Sequence, residues 1–233
     1  MTEEIQGLSF WRTTLAALTG RLVVLAARLI TGLRSQWHDN AAMSEPTLYF
    51  GNHTSHGDFV LIWAGLPPEL RGQTRPVAGQ DYWQVSCLRS FIGADVFRAL
   101  MIQRDAGTAG HDPIQQMAQV LYAGDSLIMF PEGTRNVGDT VLLPFKRGLY
   151  HLARECPQAR LVPVWIDNIR RVLPKGTVLP VPLACTVHYG APIRLHEGED
   201  KTAFLARARQ AMLDLRPEHD RRDDVHGNPW QEP

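Results

Sequence analysis

The chain carries no surplus of either charge: 24 Lys and Arg balance 24 Asp and Glu. Zero net charge leaves no overall field suited to nucleic acid or another polyanion, so any phosphate recognition has to be local. Cysteine is equally scarce. Cys87, Cys156 and Cys185 are odd in number and far apart, which argues against a disulfide framework, offers no zinc-ligand spacing and suits a reducing compartment. The acidic opening Met-Thr-Glu-Glu lacks the basic start of a secretory leader, and no clear Ala-x-Ala cleavage pattern follows. No internal repeat is visible. At 233 residues the chain has room for one substantial domain and an appendage, but hardly for two full cores.

An uninterrupted spanning segment is also missing. Leu8 to Arg34 has no acidic residue and is rich in Leu, Val, Ile and Ala, yet Arg12, Arg21, Arg28 and Arg34 break every run. An arginine at the bilayer centre costs roughly 2.5–3.5 kcal/mol on insertion scales, and Arg21 would sit close to that centre. On a helical wheel Thr14, Arg21 and Arg28 share one stripe, while Leu15, Leu22, Leu29 and Leu33 line a face away from it. That pattern suits a helix lying in a membrane interface. It equally suits an amphipathic helix closing the protein's own core. The expected divisions are an N-terminal amphipathic helix over 1–37, an α/β domain over 38–216 and a polar tail over 217–233.

What is present is a regular alternation. Thr47–Phe50 reads as a buried strand, followed by an apolar helix from Phe59 that Pro67-Pro68 stops. Arg75–Gly79 reads as a second strand and Asp81–Phe91 as a helix. The stretch from Val96 to Gln103 ends in a strand. Asp112 caps a helix with Pro113 at its first position. Ser126–Phe130 is the clearest buried strand, and Pro144–Cys156 reads as a helix. Leu161–Ile166 and Leu183–Tyr189 are further strands, and Thr202–Leu215 a last amphipathic helix. Strands alternating with helices predict a three-layer α/β sandwich, a mixed central sheet flanked by helices.

Two clusters sit where strands end, the edge at which open α/β sheets keep their sites. In Tyr49-Phe50-Gly51-Asn52-His53-Thr54-Ser55-His56-Gly57-Asp58, His53 follows a strand and Asp58 lies in the next helix's first turn. A tight turn can return that carboxylate to the imidazole, fixing its tautomer and steadying the imidazolium, as a general base requires. The alternative makes His53 and His56 loop histidines and Asp58 an N-cap. Phe130-Pro131-Glu132-Gly133-Thr134-Arg135 follows its own strand in the same way. Gly133 permits close approach, Thr134 brings a hydroxyl, and Arg135 and Arg104 bring guanidinium forks. Lys146 adds an ammonium at a helix start. Together they form a phosphate cradle. Any single arginine could instead be a surface ion pair worth about 0–1 kcal/mol. Glu132 either orients Arg135 or meets a substrate hydroxyl.

Asn52-His53-x4-Asp58, the run to Arg104, Phe130–Arg135 and Leu161-Val162-Pro163-Val164 stand in the order of the four blocks of the glycerolipid acyltransferases, and the chain resembles a 1-acylglycerol-3-phosphate acyltransferase over roughly Thr47–Asn168. The segment Pro144–Gly148 is similar to that family's run after the third block. The second block fits most loosely, and Arg98 competes with Arg104 for its arginine. The resemblance implies that His53 deprotonates the free hydroxyl of a lysophospholipid, which attacks an acyl thioester, with Asp58 orienting His53. Arg104, Gly133, Arg135 and Lys146 would hold the phosphate, and Glu132 would support that site. Val162, Pro163 and Val164 would position the acyl chain or acceptor. It further implies acyl-CoA or acyl carrier protein as donor, no cofactor and a membrane surface as partner. His53 and His56 have no third ligand at a recognisable spacing, so no metal is expected, and the neutral charge and acidic opening suggest the cytoplasmic face, where thioester donors are made. Three other readings remain: another lyso-acceptor, such as an aminolipid or glycolipid; a non-catalytic phospholipid-binding module; and, more weakly supported, a hydrolase using the same base with water. Gly124-Asp125-Ser126-Leu127 spells a hydrolase signature, but Ser126 begins a strand where that signature's serine ends one.

Overall fold

A computed structural model describes residues 2–38, 45–83, 86–102, 112–167 and 185–218, with side chains except at 2–10, 81 and 82. Seven strands form one sheet: β1 (Arg34–Trp37), β2 (Thr47–Gly51), β3 (Thr74–Gly79), β4 (Leu100–Ile102), β5 (Ser126–Met129), β6 (Arg160–Asp167) and β7 (Thr186–Tyr189), in the order β1-β7-β6-β2-β5-β3-β4. Every neighbouring pair is parallel except β6–β7, so the sheet is mixed.

The layering follows from side-chain alternation along buried strands. Leu48 and Phe50 of β2, with Leu161 and Trp165 of β6, face α6 (Pro113–Tyr122), α7 (Gly148–Glu155) and α8 (Lys201–Leu213). Tyr49, Val162, Val164 and Ile166 face the other way, toward α1 (Thr2–Thr31), α2 (Asp58–Gly65) and α4 (Gln80–Trp83). Among the described residues, short helices α3 (Pro68–Arg71) and α5 (Cys87–Phe91) complete the set, α5 running into a π-helical turn at Ile92–Val96. This is the three-layer α/β sandwich the alternation predicts.

The differences are local and have physical causes. Residues 34–37 form an exposed edge strand that no apolar pattern announces; pairing with β7 creates it. The stretch from Asp81 to Phe91, expected as one helix, holds α4 and α5 as separate pieces. Helix α7 begins at Gly148, four residues later than expected, because Lys146 donates its N–H to Pro131 O at 2.7 Å and ties that segment to the loop after β5. Val162, Pro163 and Val164, expected to line the substrate, are buried in β6 between β2 and β7. Val162 packs with Tyr49 and Ile62, and Pro163 stands opposite Phe50. Their visible role is to build the core.

Helix α1 has two apolar faces. Ala16, Gly20, Val24 and Ala27 turn inward, and Gly20 lies against Trp63 and Val96. Leu15, Leu18, Leu22, Leu25 and Leu29 turn outward and are 50–75% exposed. Trp11–Thr31 is long and apolar enough to cross a membrane by length and composition, yet its small-residue stripe is committed to the protein body.

Candidate active site

Strand β2 ends in the centre of the sheet and delivers Asn52 and His53 to its rim. Asn52 extends the sheet with its side chain: its Nδ2 donates to Ile166 O at 3.2 Å and its Oδ1 accepts from Ile166 N at 2.8 Å. The chain therefore leaves β2 in one defined direction. His53 comes next, and its Nδ1 lies 2.9 Å from Asp58 Oδ2.

Asp58 is the first residue of α2, but its carboxylate does not cap that helix. It turns back instead. Oδ2 also accepts the N–H groups of Thr54 at 2.6 Å and Ser55 at 2.9 Å, while Oδ1 accepts the Ser55 hydroxyl at 2.7 Å. The carboxylate has no exposed surface, and burying so polar a group without such hydrogen-bond partners would be costly. The His53 ring stacks on Phe130, with centroids 4.1 Å apart and planes 12° from parallel, and remains partly exposed. One face and one nitrogen of the imidazole are thus fixed. The N-cap reading of Asp58 gives way to a carboxylate that orients a histidine.

The loop after β5 locks onto this turn. Glu132 is buried; its Oε1 accepts His53 N–H at 2.7 Å and its Oε2 accepts Leu143 N–H at 2.9 Å. Asn136 N–H donates to His53 O at 2.6 Å. The visible contacts of Glu132 clamp two loops to the backbone of residue 53. Gly133 takes φ +70, and a Cβ there would stand 3.1 Å from Lys146 Cγ. Glycine is needed for both the left-handed backbone and the close approach. Thr134, Arg135 and Lys146 are exposed at this rim, and the charge of Arg135 acts on His56 of the histidine turn.

Burial raises the Glu132 carboxyl above its usual range, against the opposing pull of the Leu143 and His53 N–H groups. The folded chain therefore binds this proton more tightly than the unfolded chain. Its contribution to stability is full at low pH and falls as pH climbs from the ordinary glutamate range through the raised value. A Glu132→Gln variant leaves one N–H facing an amide donor and costs about 1–3 kcal/mol. Because glutamine does not titrate, that cost is larger at pH 4 than at pH 7; urea unfolding at both values checks the sign.

The remaining candidates separate clearly. Arg98 lies at the opposite edge, where β4 begins and β5 starts. Its guanidinium donates to Gly72 O at 2.9 Å and Asp125 Oδ2 at 3.1 Å, which makes it a structural clamp. Arg104 lies outside the described residues. Ser126 Oγ accepts Thr47 N–H at 3.0 Å at that same far edge, consistent with a turn and not a nucleophile. Burial pushes the Cys185 thiol up to about 12. Among the described residues, no three His, Cys, Asp or Glu side chains cluster as a metal site requires. Sequence reasoning gave no role to Phe130 or to the side chain of Asn52, and Ser55 suited only the start of the following helix, although all three stand within the quoted motifs.

Three comparisons bear on this geometry. A 1-acyl-sn-glycerol-3-phosphate acyltransferase of Limnanthes alba is 29% identical over 192 residues, covering 79% of this chain and 63% of the relative. The human 1-acyl-sn-glycerol-3-phosphate acyltransferase alpha is 28% identical over 201 residues, covering 83% of this chain and 67% of the relative. The chain thus spans less than two thirds of the Limnanthes relative's length. In structure it is similar to the 1-acyl-sn-glycerophosphate (LPA) acyltransferase PlsC from Thermotoga maritima, with a TM-score of 0.66 at 15% identity over 98% of this chain and 90% of that one, a likeness of fold. The model of the family described as Acyltransferase matches residues 33–167, more than half of the chain and both strand-end motifs, so this protein belongs to the acyltransferase family.

Proposed function

We propose that the protein moves a fatty acyl group from a thioester, acyl-CoA or acyl carrier protein, to the free hydroxyl of 1-acylglycerol 3-phosphate, giving phosphatidate. The observation that carries this reading is the His53 Nδ1–Asp58 Oδ2 contact of 2.9 Å at the same rim as Arg135. With Nδ1 engaged, Nε2 is the nitrogen that takes the acceptor's hydroxyl proton. The oxygen then attacks the thioester carbonyl, the carbon–sulfur bond breaks, and the imidazolium returns its proton to the leaving thiolate. Acyl passes directly, so neither a serine nor a cysteine nucleophile is needed. Arg135, Thr134 and Lys146, with Arg104, hold the phosphate, and Gly133 gives it room. The names of the relatives support the acceptor. Purified protein offered acyl-CoA and a panel of lysolipids tests it: phosphatidate from lysophosphatidate is expected. Preference for an amino- or glycolipid acceptor would change the substrate, and phospholipid binding without turnover would favour a module.

The outward leucines of α1 support a protein resting on a membrane surface, and we propose the cytoplasmic face because thioester donors are made there. Removing α1 is a poor test, since it also strips Trp63 of its cover. Replacing Leu15, Leu22 and Leu29 by glutamine is cleaner because all three are more than half exposed. Each leucine withdrawn from lipid forfeits about 1.5 kcal/mol or more, roughly tenfold in partitioning. The triple variant is expected to melt as wild type does and to lose vesicle flotation.

A further inference from the structure

Phe130 has no chemistry of its own, yet it makes the closest aromatic approach to the base: its ring centroid lies 4.1 Å from that of His53, with the planes 12° from parallel. The phenyl group is itself held from behind. It packs against the core cluster that contains Tyr49, Ile62 and Val164. Gly51 leaves room for it, since a Cβ there would stand 3.4 Å from Phe130 Cε1 and 2.8 Å from Ile62 Cδ1. Any larger residue at the end of β2 would press on the phenyl ring and on the core beneath. The contact of His53 Nδ1 with Asp58 does not fix the imidazole by itself. One hydrogen bond sets a distance and a direction but tolerates tilting of the ring plane. A flat surface packed on one face removes that freedom, and the two contacts together define where Nε2 points. The platform also has an electrical consequence. The face of a benzene ring carries the negative part of its quadrupole, so it attracts a cation lying over it. A histidine that has taken the acceptor's proton is such a cation, and the phenyl face is already in place against it.

We propose that Phe130 is a positioning residue for acyl transfer: it sets the plane of the His53 ring and stabilises that ring while it carries the proton from the acceptor hydroxyl to the leaving thiolate. This role rests on the general-base reading of His53 proposed above. It gives the first residue of the Phe130–Arg135 motif a part in the chemistry that acts through the base. The stabilisation arises only once the imidazole is charged, after both substrates have bound. It therefore enters kcat and leaves KM nearly unchanged. A residue that merely filled space would serve equally well with its ring fluorinated.

The test replaces Phe130 in the full-length protein by phenylalanines bearing one, two and three ring fluorines, which keep the ring's shape and draw negative charge from its face in steps. Phosphatidate formation from acyl-CoA and 1-acylglycerol 3-phosphate is measured for each. The logarithm of kcat should fall with each fluorine, to a total of about two- to thirtyfold, the range of one cation–π contact. Both KM values should stay within about twofold. Phe130→Leu should lose at least as much, and Phe130→Tyr should regain most of the loss. By NMR the His53 ring protons, assigned with His53→Ala, should lie upfield in wild type, shifted by the phenyl ring current, and move back in Phe130→Leu. A kcat that stays flat across the fluorine series of an active protein would overturn this role alone. So would unshifted His53 protons, or a raised KM with kcat intact, which would place Phe130 against substrate. A wild type that shows the ring-current shift yet transfers no acyl group would sink the proposed function, and this role with it.

Discussion

Replacing His53 with alanine is expected to lower turnover by at least about a hundredfold, the lower end of what a positioned base contributes, while the fold survives. The imidazole is partly exposed and packs on one ring, Phe130. Its removal leaves Asp58 still accepting from Thr54 and Ser55. The backbone of residue 53, clamped by Glu132 and Asn136, is untouched by a side-chain change. KM for the acceptor should move little, since phosphate contacts lie elsewhere on the rim. Product formation at saturating substrates, alongside a thermal melt, checks both halves. Near-normal turnover in a folded variant rules out His53 as the base.

Asp58→Asn should strike activity and stability together. Four donors converge on a carboxylate with no exposed surface: one imidazole, two backbone N–H groups and one hydroxyl. An asparagine supplies one acceptor oxygen and turns an amide donor toward groups that themselves donate. One buried N–H left unsatisfied costs about 1–3 kcal/mol, roughly 2–4 °C in Tm per kcal/mol for a chain of this size. The imidazole also loses the partner that fixes its tautomer, and turnover should fall about 10²–10⁴-fold. The two losses distinguish the roles open to this residue. A variant that melts early but turns over normally would make Asp58 only a clamp for the turn.

Much of this was legible in the residues, for reasons that also explain what was not. Leu48, Tyr49 and Phe50 announce a central strand because both faces of it are buried, and Asp112-Pro113 announces a helix start because capping is local chemistry: the Asp112 side chain accepts from Ile114 N–H. The His53–Asp58 pair was legible because five residues of turn suffice to close it. The contacts of Glu132 were not legible because its partners, His53 N–H and Leu143 N–H, are backbone groups that no side-chain pattern advertises. The burial of Val162 and Pro163 in β6 was not legible because a motif's order along the chain does not say which residues face the rim and which fill the core. Strand β1, polar and exposed, exists only by pairing with residues some 150 positions away.

The most direct test of the central claim follows both products at once in a single assay of the purified protein with acyl-CoA and 1-acylglycerol 3-phosphate, wild type beside His53→Ala. Direct transfer driven by the residue-53 imidazole predicts one phosphatidate for every CoA released, with both products lost together in the variant. CoA release without phosphatidate in the wild type, or undiminished phosphatidate from folded His53→Ala, would contradict it.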